Sequence, residues 1–286
     1  MGEEKLNVLN RFFSRNTLRQ WIDFSNDNLY MSVVRRYIYD PTNKTNVEIV
    51  SEIYNVLKKS YRNEYYYKNT LLNKLLIGIH SINTTTALTE VSIAKSKADF
   101  VMINGKAVVY EIKTELDNFD RLESQINDYY KSFNHVAVVT CNENLESLER
   151  KIELIAKPVG IYILQRNGKI KTVKRPEVYN ECINTEVMFR ILRKYEYEEI
   201  LKKRFGGLPE VTQFKYYKEC KNLFLKLSVE DAYDEFIRQL KKRNYILKEE
   251  FKKIPYELKF LAYFMELKEQ DYVQLAMFLN KRFGGV

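Results

Sequence analysis

The stretch Ala98-Asp99-Phe100-Val101-Met102-Ile103-Asn104-Gly105-Lys106-Ala107-Val108-Val109-Tyr110-Glu111-Ile112-Lys113 decides the fold. Two apolar, β-branched runs flank an Asn-Gly dipeptide, a strong hairpin signal. Residues 98–103 and 107–113 are therefore predicted strands. Glu111 and Lys113 are two apart, so both side chains leave the same face. Opposite charges at the end of an apolar strand should face an opening, because burying them unpaired is costly.

The turn carries a condition on Asp99 and Glu111. A clean two-residue Asn104-Gly105 turn would pair Ile103 with Lys106 and send the two carboxylates to opposite faces. A three-residue connection, such as a type I turn with Gly105 as a G1 bulge, returns them to one face. Carboxylates that act together require the odd-length connection, and that connection is expected.

Outward from the hairpin the texture alternates. Upstream, residues 88–93 alternate like a strand, and residues 61–79 read as a helix with Leu71, Leu72, Leu75 and Leu76 on its apolar side. Downstream, Phe119, Leu122, Ile126, Tyr129 or Tyr130, and Phe133 recur at helical spacing. The run 135–140 is apolar enough for a strand covered on both faces. A helix near 143–156 and a strand at 160–164 follow. The order is helix, three strands, helix, strand, helix, strand: an α/β fold with a mixed sheet, in which the later strands need crossover helices.

Residues 1–60 read as a helical lead-in, 61–179 as the α/β core and 180–286 as an all-helical region. One short echo, Lys203-Arg204-Phe205-Gly206-Gly207 and Lys281-Arg282-Phe283-Gly284-Gly285, is most simply a pair of helix C-caps. A duplicated functional unit is the minor reading.

Composition sets the limits. The 286 residues carry 47 Lys and Arg against 38 Asp and Glu, a formal charge of +9, which permits an anionic partner without naming one. Nine Gly and five Pro are too few for a turn-rich all-β chain. Cys141, Cys182 and Cys220 are too scattered for a disulfide framework or a zinc site. With only His80 and His135, both read as structural, a histidine-rich metal site is excluded. A catalytic metal would have to be held by carboxylates, which points to Mg²⁺, with Mn²⁺ as a substitute. No stretch is long and apolar enough to span a bilayer, and the opening Met1-Gly2-Glu3-Glu4 begins no signal peptide. A soluble, cytoplasmic protein without a membrane partner is expected.

The residues Asp99, Glu111 and Lys113 suit phosphodiester cleavage. Two carboxylates can hold a hard cation, and the cation polarises a phosphoryl oxygen and acidifies a bound water. A neighbouring ammonium can orient that water or offset developing charge. The pattern alone is common; its place on two neighbouring strands gives it weight. The competing structural reading is a solvated hairpin end with a Glu–Lys pair.

At these residues the chain resembles the PD-(D/E)xK nuclease superfamily, whose restriction-endonuclease-like core has the order αβββαβ. Asp99 fills the first acidic position, with Ala98 where the motif has proline, and Glu111-Ile112-Lys113 fills the second. Gln125-Ile126-Asn127-Asp128-Tyr129 matches the QxxxY motif of the RecB-like branch, and the run from Tyr110 to Gln125 resembles an uncharacterised bacterial and phage family there. The resemblance covers roughly residues 60–165. It implies that Asp99, Glu111 and the Ile112 carbonyl ligate Mg²⁺, that Lys113 is the catalytic lysine, and that Gln125 steadies the lysine or a water. It also implies an acidic ligand on the helix before the sheet, where Glu64 stands; a solvated helix-face glutamate is the alternative. Arg121, Gln125 and Tyr129 are successive turns of one helix face, so Arg121 and Tyr129 are expected at the nucleic-acid backbone. Tyr129 also fits the apolar stripe. Glu90 is a weaker candidate, better read as a strand-edge charge. Tyr65, Tyr66 and Tyr67 offer base stacking or simple packing.

The expected function is thus a metal-dependent nuclease, acting on DNA ahead of RNA and related to phages or to defence against them. The alternative is a non-catalytic nucleic-acid-binding or protein-interaction protein on a nuclease-like scaffold. Residues 180–286 are left for a homodimer contact or a protein partner. The strand end and helix around the candidate centre are acidic, so the phosphate backbone would be held by bases elsewhere, including Arg166 to Arg175.

Overall fold

A computed structural model describes residues 3–25, 28–79 and 82–284. The chain begins with helices α1 (Glu3–Phe12), α2 (Arg15–Ile22), α3 (Asn28–Tyr37), α4 (Asn46–Ser60) and α5 (Glu64–Leu71), the last running on as π-helix over Leu72–Ile79. The sheet region follows: β1 (Thr86–Ile93), β2 (Ser96–Asn104), β3 (Lys106–Ile112), α6 (Leu122–Tyr129), β4 (Val136–Thr140), α7 (Leu145–Ile155), β5 (Gly160–Leu164) and β6 (Ile170–Lys174). Helices α8 (Thr185–Ile191), α9 (Lys194–Phe205), α10 (Gln213–Phe224), α11 (Val229–Lys241), α12 (Lys248–Lys253), α13 (Lys259–Phe264) and α14 (Glu269–Asn280) complete it. This is an α/β fold with helical flanks.

The compact units divide the chain differently from the expected boundaries at 60 and 180. One unit joins residues 1–79 to 245–286, and the other is residues 80–244. In the first, long-range contacts tie the chain ends together. The Trp21 ring stacks on Phe278 at 5.1 Å, Asn46 donates to the Phe278 carbonyl at 2.8 Å, and the Tyr65 hydroxyl reaches the Glu257 carbonyl. The two hydrogen-bonded pairs are 232 and 192 residues apart and leave no local signal in the sequence. Tyr65, Tyr66 and Tyr67 are all buried, which favours packing for the three.

In the second unit six strands form one sheet in the order β1-β2-β3-β4-β5-β6. The first three are an antiparallel meander. The pairs β3–β4 and β4–β5 are parallel, so α6 and α7 serve as the crossovers that parallel neighbours require. The β4 run Val136-Ala137-Val138-Val139-Thr140 is buried throughout, as a doubly covered strand should be. One apolar core holds Val101, Val109 and Val138 of the sheet, Leu122 and Ile126 of α6, and Phe189, Leu201, Phe224 and Phe236 of α8–α11. Those four helices therefore belong with the sheet. Fully burying one such side chain contributes about 1.5–3 kcal/mol.

Strand β6 was not expected. Its residues are exposed on both faces apart from partly buried Ile170, so it lacks the apolar alternation that marks a strand. A second Asn-Gly pair, Asn167-Gly168, stands in its turn with Gly168 at φ +81°, and that was the available signal. The two copies of the echo also differ. Gly206 closes α9 in the left-handed conformation (φ +78°), an ordinary C-cap. After α14, Lys281 is extended, and Arg282 bridges to Thr45 instead of capping.

Candidate active site

The β2–β3 register settles the turn. Ile103 pairs with Ala107 and Asn104 with Lys106, and Gly105 takes φ +68° between them. This is the odd-length connection. By the same register Asp99 stands opposite Glu111, one place beyond the Phe100–Tyr110 pair. Their side chains leave the face on which Val101 and Val109 meet α6.

Glu111 is buried, with 2% of its surface exposed, so its charge requires partners. It has three. The Lys113 ammonium lies 3.0 Å from Oε1, the Gln125 side-chain amide donates to the same oxygen, and the Tyr129 hydroxyl donates to Oε2. Lys113, also buried, donates to Gln125 Oε1 at 3.0 Å. The four side chains form a closed polar network between β3 and α6. Its assembly follows from local geometry. Gln125 and Tyr129 are one turn apart on α6 and project together onto the strand end, while the period of two aligns Glu111 with Lys113.

Burial pushes the Tyr129 phenol far above its ordinary value, and the Glu111 carboxylate adds to this. Tyr129 is therefore a fixed hydrogen-bond donor. Its hydroxyl also lies 3.0 Å from the Lys97 carbonyl. It is at once a core residue and a partner of Glu111, so the two readings of its sequence position are compatible.

Asp99 is half-buried. Its Oδ2 accepts the Ile112 amide proton at 2.8 Å, which ties the carboxylate to the strand carrying Glu111. Glu90 belongs to the same row, opposite Asp99 between the pairs Thr89–Phe100 and Val91–Ala98. A carboxylate oxygen of Glu90 comes within 4.8 Å of one from Asp99. Glu90 takes φ +56° in mid-strand, a conformation that costs a non-glycine residue about 1–2 kcal/mol, and it pairs with Lys97 at 2.6 Å.

Among the described residues, Arg121 and His135 take no part in this network. The Arg121 side chain is exposed just before α6, and among the described residues its guanidinium makes no hydrogen bond to Glu111, Lys113 or Gln125. Glu64 opens α5 and pairs with Lys68 one turn on. His135 is half-buried beside Asn134 at 2.8 Å, and burial, then the nearby Lys106 charge, lowers its pKa. His80 lies outside the described residues.

A residue not singled out from the sequence supports the network from behind. Asp128, on α6, accepts the Lys95 amide at 3.1 Å and the Ser96 hydroxyl at 2.8 Å, and Lys131 pairs with it at 2.6 Å. It fastens α6 to the β1–β2 turn. The signal was its place inside the Gln125–Tyr129 motif.

The donor set suits a hard cation. Asp99, Glu111 and the Ile112 carbonyl all offer oxygen atoms, the donors that Mg²⁺ and Mn²⁺ prefer. A carboxylate offers about four acceptor positions. The three donors on Glu111 leave capacity at Oε2, where among the described residues Tyr129 is the one donor.

Residues 57–258, more than half of the chain, match the family described as bacteriophage P4 protein cII. The chain belongs to the bacteriophage P4 protein cII family. The matched residues include the whole sheet, the Glu111 network and α6–α11. Protein cII of Enterobacteria phage P4 is 24% identical over 125 residues, which cover 42% of this chain and 46% of that protein. The match thus spans about half of that relative's length. No solved structure matches the chain. Among the described residues no helix of this cII-family chain is long and apolar enough to cross a membrane.

Proposed function

We propose that this chain is a metal-dependent nuclease that hydrolyses phosphodiester bonds in DNA and acts in phage biology or in defence against phages. One observation carries the reading: Asp99 and Glu111 stand opposite each other on adjacent strands, with Lys113 held at Glu111 by Gln125. This arrangement has the donor set and the ammonium that the PD-(D/E)xK resemblance requires.

In this proposal the chain's own residues divide the work. Asp99, Glu111 and the Ile112 carbonyl would hold Mg²⁺, which when bound polarises the phosphoryl oxygen and lowers the pKa of water. Gln125 accepts from Lys113 and fixes where its ammonium points. Lys113 then stabilises negative charge at the reacting phosphate, a contribution typically worth 10²–10³ in rate. Tyr129 and Gln125 donate to the two oxygens of Glu111 and hold its carboxylate in place. Asp128 keeps α6 in register with the strands.

A second reading has one specific observation in its favour. Glu111 and Lys113 are buried and already paired with each other, as a structural ion pair would be. On that reading the chain binds nucleic acid or a protein partner without cutting.

The test is incubation with single-stranded, duplex and branched DNA and with RNA, with Mg²⁺ or Mn²⁺, beside Asp99→Ala and Lys113→Ala. Cleavage by the wild type that both variants lose supports the nuclease. Binding without cleavage on every substrate supports the second reading.

A further inference from the structure

Strand β6 and its turn carry Arg166, Lys169, Lys171, Lys174 and Arg175, with no acidic residue between Leu164 and Pro176. All five are exposed. Arg166 pairs with Glu143 at 2.7 Å. Among the described residues the other four make no ion pair with a carboxylate.

The β5–β6 register gives this charge a direction. Ile163 pairs with Lys171 and Ile161 with Lys174, while Tyr162 pairs with Thr172, so Val173 is an extra residue in β6. In an unbroken strand Lys171 and Lys174, three apart, would point to opposite faces. The bulge re-aims one of them, and both leave the face shared by Ile161 and Ile163. That is also the face of Glu111, because Glu111 pairs with Val138 and Val138 with Ile161. The row Glu111–Val138–Ile161–Lys174 crosses three strand spacings, about 14 Å at roughly 4.8 Å each. Duplex DNA advances about 3.4 Å per base along each strand, so this span corresponds to about four base-pair steps.

Lysine on an edge strand also serves to repel pairing by other chains. That role needs neither a bulge that gathers two lysines on one face nor a run free of acids.

We propose that the bulged β6 edge is a docking strip for the sugar-phosphate backbone of duplex DNA, with Lys171 and Lys174 as its paired contacts and Lys169 and Arg175 beside them. The inference rests on the proposed function only for the identity of the anion, and it concerns binding, not cleavage. Phosphate contacts of this kind position a duplex without reading its sequence.

The test is fluorescence anisotropy of a labelled DNA duplex with the full chain in EDTA, at a series of salt concentrations. The wild type is compared with Lys171→Ala/Lys174→Ala and with a control pair of exposed lysines on α10, Lys215→Ala/Lys218→Ala. Loss of two phosphate contacts should reduce the slope of log K against log salt by about 1.8, equally for unrelated duplex sequences, while the control pair leaves it unchanged. An unchanged slope in the β6 variant, or an equal loss in both variants, would overturn the proposal. So would self-association of the β6 variant with an unchanged slope, which would assign the lysines to guarding the edge. Cleavage assays on the same variants keep the two proposals apart: a chain that cuts DNA but shows no β6 dependence loses only the strip, and one that binds through β6 without cutting loses only the nuclease.

Discussion

Tyr129 donates its phenolic proton to Oε2 of Glu111, from the last turn of α6 onto the end of β3. Both residues are buried, so the bond satisfies a carboxylate oxygen that has been removed from water. Tyr129→Phe leaves Oε2 without that donor at nearly constant volume. Hydrogen bonds to charged groups contribute about 1.5–3 kcal/mol, and a loss of that size is expected in urea unfolding. In the Glu111→Gln background the same change should cost less, because the acceptor is then neutral. Equal costs in both backgrounds would show that the hydroxyl does not act through the Glu111 charge.

Gly105 sets the register that faces Asp99 toward Glu111. An added Cβ would meet nothing within 4 Å, so only the backbone at φ +68° resists substitution. Gly105→Ala should therefore cost about 1–2 kcal/mol, and Gly105→Asn less, since asparagine tolerates this conformation. Deleting Gly105 is a different experiment. It removes the odd residue, forces the carboxylates to opposite faces or breaks the hairpin, and should abolish any activity that needs both. Thermal melts of the three variants separate strain from register.

Asp128 fastens α6 behind the network. Burial works against its charge, but hydrogen bonds from Lys131, Ser96 and the Lys95 amide outweigh it and hold its pKa below the ordinary 3.8. A lowered acid pKa gives stability that is present above the unfolded value and lost as pH falls through the folded one. The wild type should thus lose stability below about pH 4 partly through Asp128. Asp128→Asn should be less stable at neutral pH and lose less on acidification. Parallel acid titrations of the two proteins would contradict this.

The alkaline limb follows from buried phenols. Burial above all, with the Tyr162 and Glu111 neighbours respectively, raises the pKa values of Tyr110 and Tyr129 far above 10.0. Below pH 10 the phenols keep their protons in both states and stability is unaffected. Above pH 10 the unfolded chain releases protons that the native state retains, so stability falls as pH rises. Each fully protected phenol contributes about 1.4 kcal/mol per pH unit in that window. Tyr110→Phe should flatten the decline by about 1 kcal/mol in unfolding measured between pH 10 and 11.

The strands that bear the candidate site were legible because their apolar runs, turn dipeptide and helical stripes are local signals. The parity of the Asp99–Glu111 pair could be reasoned from the turn alone, and the register agrees with it. Strand β6 escaped because exposure on both faces removes the alternation that identifies a strand, although Asn167-Gly168 repeated the signal used at Asn104-Gly105. The partition of the helices escaped for another reason. Residues such as Trp21 and Phe278 meet only in the folded chain, and Phe236 reveals which core it joins only by packing against Phe133. Asp128 was hidden because a solvated aspartate and a buried one look the same in a helix sequence.

The central claim is that Asp99, Glu111 and Lys113 act together on a phosphodiester, and single-turnover cleavage of DNA in Mg²⁺ or Mn²⁺ tests it most directly. The wild type should cut in a divalent-ion-dependent manner. Asp99→Ala and Lys113→Ala should each cut at least about 10²-fold more slowly while remaining folded by circular dichroism and still binding DNA. Cleavage by both folded variants at the wild-type rate, or none by the wild type on any DNA or RNA substrate with either ion, would contradict it.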